Sequence, residues 1–276
     1  MRRFRVLGTV MALVFVAAAC GGDGDDGGNV AAASSTMAST TAAAPTTTAA
    51  TTAAATDLTL RMTDVRLLNS EESDNAVRIL LPAGVTTASV TVNGLPSPNR
   101  VISVCQANDL DRRLTTAACR MPASGEAVSV VLGSAATGVE IVQAGLSSAG
   151  PEGNTTNLGD VTIRYTASSR DVSVRLSQIA AGESGARPTF SLTPASAGGA
   201  YQARLTWTVI QVFGGTPSSA SLELVQGGNV VNKAEGGGLE VRLNGNVPAP
   251  VGEAAIRAQN VGSSALVSPK LVLLLP

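Results

Sequence analysis

From about Asp57 onward, apolar and polar residues alternate with a period of two, as in VISVCQA (101–107), GEAVSVVLG (125–133), GDVTIRYTAS (159–168) and RDVSVRLSQIA (170–180). Successive side chains on an extended strand point to opposite faces, so this spacing predicts half-buried β-strands. Turn-forming clusters separate the runs: PAG (82–84), NGLPSPN (93–99), GPEGN (150–154), SAGG (196–199), FGGTPSS (213–219) and EGGG (235–238). Gly supplies positive φ and Pro a preset φ, which is why such clusters end strands. After the N-terminal apolar run, no window longer than ten residues keeps a 3.6-residue period. The expected class is all-β, and short strands with frequent turn signals point to sandwich architecture.

The alternating region spans about 220 residues, enough for one large sandwich or two smaller domains. The polar segment LSSAGPEGNTTNLG (146–159) interrupts the strand rhythm. It suggests two β-sandwich domains, Ig-like or jelly-roll-like, over 57–147 and 158–276. The aromatics beyond the N-terminal run, Tyr165, Phe190, Tyr201, Trp207 and Phe213, all follow that segment. With Tyr201 to Phe213 read as a strand, Tyr201, Ala203, Leu205, Trp207, Val209 and Phe213 share one face, which makes Trp207 a core residue rather than an exposed platform for a sugar.

Ahead of this region, residues 21–56 are almost exclusively Gly, Asp, Ala, Ser and Thr, as in ASTTAAAPTTTAATTAAAT (38–56). Such a segment has little to bury and cannot offset its ordering entropy, so 20–56 reads as an anchor residue followed by a disordered linker. As a random coil it would reach about 30–35 Å, and its Thr-rich, Pro-containing composition is also that of O-glycosylated stalks.

The chain begins with Arg2, Arg3 and Arg5, then runs uncharged from Val6 to Ala19. That run is shorter than the roughly 20 residues a membrane-spanning helix needs, and the arrangement over 1–19 is that of a secretory signal peptide. Ala17, Ala18 and Ala19 lead directly into Cys20. This resembles the lipobox of bacterial lipoproteins, in which the cysteine thiol carries diacylglycerol. Ala17 stands where that family most often has Leu, and plain cleavage that leaves a free thiol is the alternative. The resemblance implies lipidation at Cys20, a membrane partner reached through the N-terminal lipid, and a place on the extracytoplasmic face of a bacterial membrane. With 17 Arg against two Lys and a Thr/Ala tether, the chain resembles lipoproteins of the actinobacterial type.

With Cys20 acylated, Cys105 and Cys119 remain as an even pair, as an exported chain should have. A disulfide across their loop, QANDLDRRLTTAA (106–118), would stabilise by about 3 kcal/mol in the chain-entropy model. Zinc is disfavoured, because the chain has no histidine and no further cysteine for a tetrahedral site.

The missing histidine also removes Ser-His-Asp and Cys-His nucleophiles and histidine acid–base work. Val230 and Val267 lie three residues before Lys233 and Lys270, so Ser-x-x-Lys is absent. No G-x-S-x-G elbow or phosphate-binding loop occurs. Carboxylate pairs are the remaining enzymatic route, and Glu71, Glu72 and Asp74 form the densest acidic cluster, more simply a solvated loop. Asn108, Asp109 and Asp111 offer hard oxygens to calcium, but Arg112 and Arg113 follow at once. No catalytic residue, cofactor or metal site is therefore expected. The first 56 residues hold three of the 19 basic and three of the 20 acidic side chains, so the remainder carries net −1. That is no footprint for nucleic acid.

The C-terminal stretch, from ARLTWTVIQVFGG through SLEL and GGN to IRAQN and a closing LVLLL (203–275), resembles bacterial pre-peptidase C-terminal domains. The resemblance implies a small jelly-roll-like sandwich without catalysis. Ala254 and Ala255 stand where that pattern has an aromatic before the IR pair. These observations together point to a non-catalytic binding or scaffold module on a lipid tether, with an unknown protein, glycan or lipid ligand. Asp109, Asp111, Arg112 and Arg113 are its candidate contact loop, since loops on a rigid sandwich usually carry recognition. A lipid or glycolipid carrier with an apolar pocket and a carboxylate-dependent hydrolase are the alternatives.

Overall fold

The structure, a computed structural model, describes residues 54–68, 76–94, 101–112, 114, 117–133, 136–144, 155–208 and 218–276. The stretch 1–19, Cys20, most of the linker, Glu71, Glu72, Asp74 and Arg113 lie outside these residues. In chain order the strands are β1 (Thr56–Leu68), β2 (Ala76–Leu80), β3 (Thr87–Val92), β4 (Val101–Ala107), β5 (Cys119–Arg120), β6 (Ala127–Val131), β7 (Gly138–Ala144) and β8 (Thr155–Ala167). They continue as β9 (Val172–Arg175), β10 (Arg187–Ser191), β11 (Ala200–Thr208), β12 (Ser219–Gln226), β13 (Asn229–Gly237), β14 (Glu240–Asn246), β15 (Glu253–Asn260) and β16 (Val267–Leu274). One 3-10 turn, Pro194–Ser196, is the sole helical element among the described residues.

The strands form two antiparallel eight-stranded sheets packed as a sandwich: sheet A in the order β13-β12-β15-β10-β1-β8-β3-β6, and sheet B in the order β14-β11-β16-β9-β2-β7-β4-β5. The all-β expectation is met. Each sheet is hydrogen-bonded across the segments that the sequence divides at 148–157, because β1 pairs with both β8 and β10, and β2 with both β7 and β9. β8, which begins inside that polar segment, pairs with β1 and β3.

Alternation explains the packing. In β11, Tyr201, Ala203, Leu205 and Trp207 are buried while Gln202, Arg204 and Thr208 face outward. The Trp207 indole donates to Ser218 Oγ at 2.7 Å, which satisfies its one polar atom. Leu60 and Met62 of β1, Ile141 of β7, Ile163 of β8 and Leu271 of β16 join the same contiguous apolar cluster between the sheets. In the run 170–180 the strand stops at Arg175. The Leu176 N–H then turns to Pro269 O, and Ile179 makes a bridge with Leu266 instead.

An amide side chain closes each long edge of the sandwich. On one side Gln106 donates to Val131 O at 2.5 Å and accepts from the Ala118 N–H at 3.3 Å, linking β4 of sheet B to β6 of sheet A. On the other, Asn232 of β13 donates to the Tyr201 hydroxyl at 2.6 Å and to Asn244 O at 3.1 Å, tying sheet A to β11 and β14 of sheet B.

Burial pushes the Tyr165 phenol up to about 12, with the Arg170 charge opposing and the Asp171 charge adding to the rise. Burial also raises Tyr201, against the hydrogen bond from Asn232. A phenol whose folded pKa exceeds its unfolded value of about 10 contributes stability that is complete below that unfolded value. The contribution is lost as pH rises through the folded pKa. Alkaline unfolding is therefore expected to set in as pH climbs from about 10 toward 12. Ultraviolet titration of phenolate absorbance should show both native tyrosines ionising above the value found in denaturant; coincident curves would refute the expectation.

Candidate functional site

Two regions carry concentrated chemistry, one on each outer face. On sheet B, the disulfide Cys105–Cys119 joins residues directly opposite each other on β4 and β5. From Cys105 a row runs across the sheet in register: Glu140 on β7, Arg78 on β2, Arg175 on β9 and Lys270 on β16. Period-two alternation puts these side chains on the outer face, yet Glu140, Arg78 and Arg175 are only 1%, 4% and 2% exposed. Arg78 Nη2 lies 2.7 Å and Nε 2.8 Å from Glu140 Oε1. The disulfide loop contributes to the cover, since Arg78 Nη1 donates to Leu110 O at 3.1 Å. Lys270 donates to Asp111 Oδ2 at 2.7 Å.

The structure thus places the expected contact residues as follows. Asp111 pairs with Lys270, and its N–H donates to Asp109 Oδ1 at 2.7 Å, a local turn. Arg112 is exposed, and Arg113 lies outside the described residues. The loop acids are directed at their own fold, and the loop serves as a cover over a buried ionic row. Among the described residues no three His, Cys, Asp or Glu side chains stand close enough to hold a metal ion. No helix among them is long and apolar enough to cross a membrane.

Sheet A carries a groove of about 930 Å³ on its outer face. Its floor is a row of facing residues on adjacent strands: Arg61 of β1, Thr189 of β10, Ala255 of β15 and Val225 of β12. One wall is the segment from Pro248 to Gly252, held by Gln226 Nε2, which donates to Pro250 O at 2.5 Å and Pro248 O at 3.4 Å. The same segment is tied at its far end by the Leu192 N–H to Gly252 O. A second wall is the β12–β13 turn, where Gly227 and Gly228 take φ of +57° and +83°. Two successive left-handed residues make the tight hairpin turn that matches strand twist, and glycine adopts them without strain.

The groove's charged groups are matched in pairs. Arg61 donates to Asp160 Oδ2 from Nη2 at 2.5 Å and from Nε at 3.1 Å, and lies 3.7 Å from Glu253. The hydrogen bond to Asp160, then its charge, hold the Arg61 guanidinium above its ordinary value. Arg187 pairs with Asp64. Asp64 sits where the β1–β8 register shifts, with φ of +56°. A bulge of this kind re-aims a side chain while keeping its neighbours in the core, and here Met62 and Val65 stay fully buried on either side of it.

None of the groove residues was singled out from the sequence as a candidate. One signal was present: in LRMTDVRL (60–67) the apolar spacing goes from two to three and back to two, which marks an inserted residue in a strand.

No family model matches the chain, and no curated protein matches it. It is similar to a chain in a solved structure of the Macrobrachium rosenbergii nodavirus, with 8% identity over 87% of this chain and 96% of that one, at a TM-score of 0.25. A likeness of that strength carries no argument about function.

Proposed function

We propose that this chain is a non-catalytic surface-binding module, held at the extracytoplasmic face of a bacterial membrane by a lipid on Cys20, with the groove of sheet A as its recognition surface. The observation that supports it is the construction of that groove. Its floor is rigid sheet, its walls are hydrogen-bonded segments, and its volume falls in the range of about 300–1,000 Å³ usual for ligand sites. The disulfide loop takes a structural part in this reading, because its acids already serve Lys270 and the loop itself.

A lipid carrier has less in its favour. The space between the sheets holds one contiguous apolar cluster, and the groove is lined by Arg61, Asp64, Asp160, Arg187 and Glu253. A hydrolase is disfavoured as well, since Asp160 and Glu253 are both engaged by Arg61.

The anchor is tested by substitution. Wild-type chain expressed in an actinobacterial host should incorporate an alkyne-tagged fatty acid and sediment with membranes. Cys20→Ser should lose the label and move to the soluble fraction. An unlabelled wild type, or a variant that still sediments, would reject the anchor.

A further inference from the structure

We propose that the sheet A groove binds a neutral, polyhydroxylated ligand, a short uncharged oligosaccharide. This rests on the groove being the recognition surface. The argument is one of elimination by chemistry. The groove holds two cations, Arg61 and Arg187, and three anions, Asp64, Asp160 and Glu253, a net of −1. Each carboxylate faces a guanidinium. An anionic ligand would meet an excess of negative charge, and a cation would compete with guanidinium groups already in place.

An extended peptide is disfavoured for a different reason. Peptide capture by strand addition needs unpaired main-chain groups at a sheet edge. The groove floor is the face of inner strands: β10 is paired on both sides by β1 and β15, and β15 also by β12. A lipid chain would have to desolvate five charged side chains.

Hydroxyl groups fit what remains. A hydroxyl both donates and accepts, so one sugar can donate to the free lone pairs of a paired carboxylate and accept from a guanidinium N–H without disturbing the pair. Alternating Arg61, Asp160 and Glu253, together with Arg187 and Asp64, present both kinds of site along one groove. Val225, Val231, Pro248 and Pro250 supply apolar surface for the C–H faces of a sugar ring. Among the described residues no aromatic side chain lines the groove, so stacking adds nothing and the affinity is expected to be modest, with Kd of about 0.1–1 mM. The floor is open because Thr189 and Ala255, directly opposite each other, are small.

The test uses the full chain extracted in detergent, applied to an array of neutral and uronate-bearing oligosaccharides and followed by calorimetry with the best neutral hexasaccharide. Two variants accompany it. Ala255→Trp fills the floor, and Arg61→Ala, at an exposed position, removes the central donor without adding bulk; circular dichroism checks that each folds. The expected result is binding of neutral oligosaccharides, at least tenfold weaker for uronate analogues and weakened at least tenfold by each variant. No neutral oligosaccharide bound at about 10 mM, or binding unaffected by both variants, would overturn the proposal. Preference for an acidic glycan or a basic peptide, abolished by Ala255→Trp, would overturn the ligand class while leaving the groove as the recognition surface. The fate of the Cys20→Ser chain tests the anchor independently of every one of these outcomes.

Discussion

Glu140→Gln is expected to destabilise the fold by about 3–5 kcal/mol, the range for removing one partner of a buried ion pair. Arg78→Met should cost the same or somewhat less. The order follows from the row on sheet B. Arg78 stands directly opposite both Glu140 and Arg175, and Lys270 follows Arg175. Losing Glu140 takes a carboxylate from beside these cations in a place where Arg78 and Arg175 are almost fully buried. Losing Arg78 relieves one like-charge neighbour while it takes a guanidinium away from Glu140 and frees Leu110 O of its donor. The double variant Arg78→Met/Glu140→Gln should cost clearly less than the sum of the single changes, with a coupling of about 2–3 kcal/mol in urea denaturation. Single-variant costs below about 1 kcal/mol, or strict additivity, would show that the pair is not a buried unit.

This row marks where the sequence stops being informative. Period two in AVRIL (76–80), GVEIVQA (138–144) and RDVSVRL (170–176) puts Arg78, Glu140 and Arg175 on one face, and alternation alone labels that face as solvent. Their burial depends on three strands meeting in register, the pair itself lying 62 residues apart in sequence, and on a loop folding over them. Neither is written in local spacing. The same limit explains the groove: Arg61, Arg187 and Glu253 read as ordinary outward-facing residues until β1, β10 and β15 lie side by side. The core was legible, because Tyr201, Ala203, Leu205 and Trp207 needed only their own periodicity to be placed. The division at 148–157 is a loop signal, and a loop signal does not report whether the strands on either side share a sheet. The Cys105–Cys119 bridge was legible for a simpler reason, since one cysteine belonged to the N-terminal pattern and two remained.

The paired substitution Cys105→Ser/Cys119→Ser should lower stability by about 3 kcal/mol, the loop-entropy value for a bridge of this span. The bridge joins residues 14 apart in sequence, and its effect reaches beyond entropy because of what the loop touches. Leu110 and Asp111, inside the bridged loop, contact Arg78 and Lys270. Opening the loop therefore loosens the cover of the ionic row, and the two perturbations should overlap. In a Glu140→Gln background the cysteine substitutions should cost less than in the wild type, since the row they help to cover is already broken. Hydrogen exchange separates the local from the global effect. The Gln106 N–H, bonded to Ala118 O across the bridge, should lose protection. The β4–β7 ladder, including Ser103 opposite Val142, should keep its protection relative to global stability. Equal urea midpoints with and without reductant would refute the stabilisation by the bridge, and fully additive costs in the triple variant would mean that the bridge and the row act independently. Coupled or not, the bridge adds its share only where a disulfide persists, so the chain reaches its full stability in an oxidising compartment.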